Sequence, residues 1–150
     1  MKAPHEFKVM RIRECVAPGE VLDTPERAVA YWHANIPQAE WFDESKEAVV
    51  VLILNTRRRI IGHNLVTLGL LDTCYVHARE VFRPAIVAAG NAILLMHNHP
   101  SGDASPSDAD LKVTRDLIRA GQLLKMELLD HIIVGRASFT SLRSAGCFHA

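Results

Sequence analysis

Cysteine is scarce in this sequence. Cys15, Cys74 and Cys147 are the three among 150 residues, odd in number, far apart and without a C-x-x-C pair, which argues against a disulfide framework and an all-cysteine zinc site. Net charge is also missing: Lys+Arg and Asp+Glu each total 17, so no global field draws the chain to nucleic acid or to an anionic membrane. Any such partner needs a local patch. No apolar run approaches the roughly 18 residues that span a bilayer, and the opening MKAPHEFKVMRIREC lacks the apolar core of a signal peptide. The cytoplasm is the expected compartment, with no membrane partner. Internal repeats, low-complexity tracts and a linker to a second domain are absent too.

What is present is core-forming material. At 49% hydrophobic residues over 150 positions, the chain can bury a packed core without metal or disulfide staples. Residues 1–22, with mixed charge and the pair Pro18-Gly19, show no sustained periodicity and read as an arm or capping segment; residues 23–150 read as one domain. Asp23-Thr24-Pro25-Glu26 followed by Ala28, Val29, Tyr31 and Trp32 predicts a helix ending before Pro37. AVVVLIL over 48–54 predicts a strand buried on both faces, joined through Asn55-Thr56 and Arg57, Arg58 and Arg59 to a second strand through Leu68.

Val81, Phe82, Ala85, Ile86 and Ala89 share helical spacing, with Gly90 as terminator and Pro84 expected to kink the helix or shift its start. AILLMH over 92–97 predicts another buried strand, stopped by Pro100-Ser101-Gly102-Asp103. A helix from near Ser107 follows, with Leu111, Thr114, Leu117, Ile118 and Leu124 on one face and Gly121 near its end. Strands at 126–134 and about 137–142 complete the order α, β, β, α, β, α, β, β. The fold class is α/β (α+β), a mixed central sheet flanked by helices.

The chemistry concentrates at His97-Asn98-His99. Residues i and i+2 of an extended chain point to one side, so the two imidazoles can converge on one ion. Asp110, in the first turn of the helix opened by Ser107, can fold a carboxylate back toward them, and two nitrogens with one carboxylate oxygen make an open zinc site. Asp103 and Asp108 compete as the third ligand. Ser107-x-x-Asp110 also has the form of a capping box, which by itself accounts for Asp110. Hydrolysis needs a general base, for which Glu44, Glu47 and Glu80 are candidates; Glu47 precedes the buried strand and can sit at its mouth. Ser107 is a natural donor to a developing oxyanion and equally a natural N-cap.

The run His97-x-His99-x7-Ser107-x2-Asp110 resembles the JAMM motif of JAB/MPN-domain metalloproteases, which trim ubiquitin and related modifiers. The wider stretch, from EVFRPAI through HNHPSGDASPSDAD to LLDHIIVG, resembles the bacterial RadC family, historically called DNA repair proteins, over about residues 23–146. The resemblance implies a JAB/MPN-type, cytidine-deaminase-like domain with one Zn2+ per chain on His97, His99 and Asp110. It implies that Ser107 assists the tetrahedral intermediate and that the family's upstream glutamate maps onto Glu47. Full-length RadC proteins carry an N-terminal helix-hairpin-helix region expected to touch DNA; this sequence looks like the short forms without it.

The leading expectation is therefore a zinc metallopeptidase or isopeptidase acting on a peptide or isopeptide-linked protein through a metal-activated water. The alternative is a non-catalytic or DNA-repair-associated adaptor, as some MPN domains are scaffolds. The string His-Asn-His does not make an HNH nuclease, whose residues are dispersed. Ser101 and Gly102 break the H-x-H-x-D-H of metallo-β-lactamases, the P-C-x-x-C of zinc deaminases is missing, and barrel amidohydrolases need a longer chain. His131, in LLDHIIVG, reads as a hydrogen-bonded core residue or a support for the site, with Asp130 serving it or capping a turn. Arg57, Arg58 and Arg59 read as a solvated hairpin tip in preference to a phosphate clamp. Trp32, Trp41 and Phe42 read as core or interaction surface. His5, His33, His63, His77 and His149 lack ligand spacing.

Overall fold

The computed structural model describes residues 3–6, 11–15, 21–69 and 76–150; Cys74 and the Pro18-Gly19 pair lie outside them. The elements follow as α1 (Pro25–Asn35), β1 (Glu47–Leu54), β2 (Ile60–Gly69), α2 (Ala78–Val87), β3 (Ala92–Asn98), α3 (Asp108–Leu124), β4 (Glu127–Val134) and β5 (Phe139–Ser141). The five strands form one mixed sheet in the order β2-β1-β3-β4-β5. β1 is antiparallel to β2 and β3, β3 and β4 are parallel, and β5 returns antiparallel to β4. The parallel pair needs a crossover, which α3 supplies.

Both faces of the sheet are covered, which is why β1 is an unbroken apolar run. Side chains alternate across it. Ala48, Val50, Leu52 and Leu54 pack with Tyr31, Trp32 and Ile36 of the α1 layer, joined by Leu94 and Met96. Val49, Val51 and Ile53 pack with Ile93 and Leu95 against Val81 and Phe82 of α2 and Val113 and Leu117 of α3. Trp32 is thus core, and Trp41 and Phe42 pack partly buried against the same layer. Among the described residues no helix is long and apolar enough to cross a membrane, and Cys15 and Cys147 are free thiols.

Several local expectations shift. Pro84 neither moves the start of α2 nor ends it, because the helix runs only to Val87 and the single donor that proline lacks is lost in its last turns. The residue with positive φ after α2 is Ala89, at 57°, not Gly90. Gly90 instead lets the chain pass close to β1, since a Cβ there would lie 2.5 Å from Ile53 Cγ2. Ile86 is 53% exposed, outside the stripe assigned to it. The buried stripe of α3 is Asp110, Val113, Thr114, Leu117 and Gly121, rotated from the expected one, and Leu124 is exposed. Thr114 and Leu117 belong to both stripes; burying Asp110 turns the helix, a demand hydropathy alone does not register. The arginine triplet occupies the β1–β2 turn, where Asn55 Oδ1 accepts the N–H of Arg57 and of Arg59.

Gly121 sits inside α3 where a Cβ would lie 2.5 Å from the Met126 carbonyl oxygen. That neighbour is backbone and cannot rotate away. Gly121→Ala is expected to cost about 1–3 kcal/mol in chemical denaturation. Gly62→Ala, whose Cβ meets nothing within 4 Å among the described residues, should stay within about 0.5 kcal/mol.

Candidate metal centre

The site forms where β1 begins and β3 ends. Antiparallel pairing sets Val49 opposite His97, so continuing the register brings Glu47 beside His99. Alternation then aims Glu47, His97 and His99 toward the α3 side of the sheet. The chain turns sharply at Pro100, with Gly102 N–H donating to His99 C=O at 2.9 Å. It returns to start α3 at Ser107, whose hydroxyl accepts the Asp110 N–H at 3.1 Å while Asp110 Oδ2 accepts the Ser107 N–H at 2.9 Å. Asp110 is thus a capping residue through one oxygen, and its other oxygen, Oδ1, lies 3.2 Å from His97 Nε2. The capping box thus leaves Oδ1 directed at the imidazole.

One ligand atom from each of Glu47, His97, His99 and Asp110 lies within 4.8 Å of the others. The two Nε2 atoms are 3.0 Å apart. Glu47 Oε1 is 3.4 Å from that of His97 and 3.5 Å from that of His99, and Asp110 Oδ2 is 3.3 Å from that of His99. His97 and Asp110 are fully buried, whereas the His99 side chain keeps 16% and Glu47 10% of their exposure. Solvent therefore reaches the cluster along the His99–Glu47 side.

Hydrogen-bond direction assigns the protons. A carbonyl only accepts, so the Thr114 hydroxyl donates to Asp110 C=O at 2.8 Å, and its oxygen accepts from His131 Nδ1–H at 2.7 Å. Burial, with His97 nearby, pushes the His131 pKa well below its ordinary value, so this ring is neutral and its Nε2 is an acceptor. His97 Nδ1–H then donates to it at 2.8 Å. His99 Nδ1–H likewise donates to Asp103 C=O at 2.8 Å. With Nδ1 the protonated nitrogen, the neutral form of each ring carries its lone pair on Nε2, and the two Nε2 atoms face each other and two carboxylates.

With the rings neutral this is a convergence of acceptors, and among the described residues buried Asp110 Oδ1 has no hydrogen-bond partner. Burial works against the charge of Asp110, but positive charge beside it, as a protonated His97 would carry, and then the Ser107 N–H outweigh it and hold the carboxyl well below the usual range. A cation relieves such a set, so these residues fit a metal ion and are the groups that can hold one.

Other candidates lie elsewhere. Glu80 pairs with Arg83 at 2.8 Å, Glu44 is exposed, Asp103 turns its carboxylate to Ser105, and Asp108 faces solvent. Asp130 does not serve the His131 ring. It accepts the His131 and Arg143 backbone N–H groups at 2.7 and 3.1 Å and the Ser141 hydroxyl, tying β5 and the turn after it to β4. Arg58 pairs with Glu127 at 3.4 Å. His63, which had no expected role, bonds the Tyr31 hydroxyl through Nδ1 at 2.7 Å. The hydrogen-bonding roles of Thr114 and Asn98 escaped the sequence reading; a threonine four residues after Asp110, on a face expected to be buried, was the available signal for the first.

A sheet with helices on both faces, carrying His-x-His at a strand end and a carboxylate on the following crossover helix, defines a JAB-type domain. Residues 22–147 match the RadC-like JAB domain, and the chain belongs to that family. It is 39% identical over 136 residues to a UPF0758 protein of Chlorobium chlorochromatii, covering 91% of this chain and 56% of that one. It is 48% identical over 113 residues to a UPF0758 protein of Chlorobaculum parvum, covering 75% and 49%. A UPF0758 protein of Desulforudis audaxviator is 39% identical over 145 residues, covering 95% and 60%. The chain thus spans about half the length of the curated relatives it matches.

If the Thr114–His131–His97 chain orients the cluster, breaking it weakens metal binding without removing a ligand. Thr114→Val keeps the volume but strands His131 Nδ1–H. Divalent-metal affinity measured against a chelating dye is expected to fall about 10–100-fold. Lys112→Ala, an exposed change on the same helix, should leave it unaltered.

Proposed function

We propose that this domain is a zinc-dependent hydrolase of amide bonds, a metallopeptidase or isopeptidase, with His97, His99 and Asp110 as the metal ligands. The observation that carries it is the convergence of two imidazole nitrogens and two carboxylates, one ligand atom of each within 4.8 Å of the others. Two nitrogens and one carboxylate oxygen favour zinc over harder ions. A tetrahedral zinc with bonds of about 2.0–2.1 Å separates its ligands by about 3.3 Å, which agrees with the 3.0 Å between the imidazoles and 3.2 Å from His97 to Asp110. Bound there, the ion would polarise a scissile carbonyl and lower the pKa of a water toward about 7.

The protein's own groups do the rest. Glu47, at the solvent-reached side, accepts a proton from the attacking water and returns it to the leaving amine. Ser107 accepts the Asp110 N–H through Oγ, which leaves its own O–H proton to donate to the oxyanion that develops on the attacked carbonyl. The burial of His97 and Asp110 keeps the ligands in a low-dielectric setting, where such interactions gain strength.

Elemental analysis of chelator-free protein tests the reading first. Wild type is expected to hold near one zinc per chain, with Asp110→Ala and the double change His97→Ala/His99→Ala losing it. Against a panel of peptides and isopeptide-linked proteins, Glu47→Gln should keep zinc and lose about 10²–10⁴-fold in kcat. A folded wild type that takes up no added zinc overturns the proposal, and zinc with no cleavage of any such substrate favours an adaptor role.

A further inference from the structure

We infer that Asn98, the residue between the two histidines, is the positioning residue for Glu47. Alternation along β3 turns its side chain away from the face that His97 and His99 share. The β1–β3 ladder ends at the pair Val49 and His97, so the start of β1 runs past it without further backbone pairing to β3. Asn98 takes over there. Its Oδ1 accepts the Ala48 N–H at 2.8 Å and its Nδ2 donates to the Lys46 carbonyl at 3.0 Å.

These two bonds bracket Glu47, one on either side of it in the chain. The carboxamide carries one acceptor and one donor at the end of a short stem, and so stands in for the peptide group that the ladder no longer supplies. Aspartate keeps the length but has no donor for Lys46 C=O, and alanine has neither group. At a sheet rim the terminal residues of a strand fray first, and Glu47 is the first residue of β1. With both neighbours pinned to β3, its carboxylate is held 3.4 and 3.5 Å from the two Nε2 atoms. The residue that spaces the ligands along the strand therefore also sets the distance between those ligands and the carboxylate opposite.

This role rests on the reading of Glu47 as the group that works at the metal, so the experiment separates the two. The protein is loaded with Co2+ and its visible d–d spectrum recorded, a readout that needs no substrate. Asn98→Ala and Asn98→Asp are expected to bind one cobalt per chain and to shift the spectrum in the direction given by Glu47→Gln, with no further shift when Asn98→Ala is added to Glu47→Gln. Hydrogen exchange should show the Ala48 amide losing protection in Asn98→Ala. On a cleaved substrate, kcat should fall about 10–100-fold with KM unchanged. A wild-type spectrum and wild-type kcat in both Asn98 variants overturn the role alone. Loss of cobalt or of the fold in both also overturns it, leaving Asn98 as a closure of the sheet. No cobalt uptake by wild type overturns the metal reading itself.

Discussion

The antiparallel pairing of β1 with β3, in the register that sets Val49 opposite His97, is the constraint on which the rest depends. It places two apolar strands at the centre of the sheet, where helices must cover both faces. It also brings the first residue of one strand beside the last of the other, so Glu47 meets two histidines from a distant part of the chain. A slip of one residue would send Glu47 to the α1 side, away from the imidazoles. The hydrophobic demand of the core and the polar demand of the site are met by the same register.

A second constraint is electrostatic. Four acceptors gathered at the end of a sheet repel one another and lose hydration, and the protein commits backbone and side-chain partners to holding them there. Asp110 is fixed by the capping box of its own helix, His99 by the Asp103 carbonyl, and His97 by a chain of bonds through His131 and Thr114 back to the Asp110 carbonyl. That chain begins and ends on groups of the same cluster, so the orientation of one histidine depends on the helix that carries the carboxylate. The loop between them is itself braced. Gly102 accepts the Arg136 N–H at 3.1 Å, and a Cβ on Gly135 would lie 2.6 Å from the Gly102 carbonyl oxygen.

Much of this was legible in the linear sequence because it is local. Continuous β-branched runs announced β1 and β3, a cap and an early proline announced α1, and the spacing from His97 to Asp110 pointed to a strand end followed by a helix N-terminus. The element order and the α/β class followed from periodicity. The errors were local too. Ala89 took the left-handed conformation expected of Gly90, because the glycine was required for contact with β1. α3 turned to bury Asp110, a charged residue that hydropathy assigns to solvent.

The sequence by itself determined what depends on neighbours a few residues apart: which segments are helix or strand, that His97 and His99 point to one side, and that Asp110 sits in a first turn. Tertiary structure alone decided what depends on pairing between distant segments. Three glutamates were candidates to face the histidines, and strand register brought in Glu47 and left Glu44 and Glu80 outside. His131 was divided between core and support until the β3–β4 pairing set it beside Leu95, on the face of His97. Asn98 carried no signal at all, since its partners are backbone groups of Lys46 and Ala48. Spacing along a chain reports direction within one element, whereas the distance between elements is set by which strand lies next to which, and in what register.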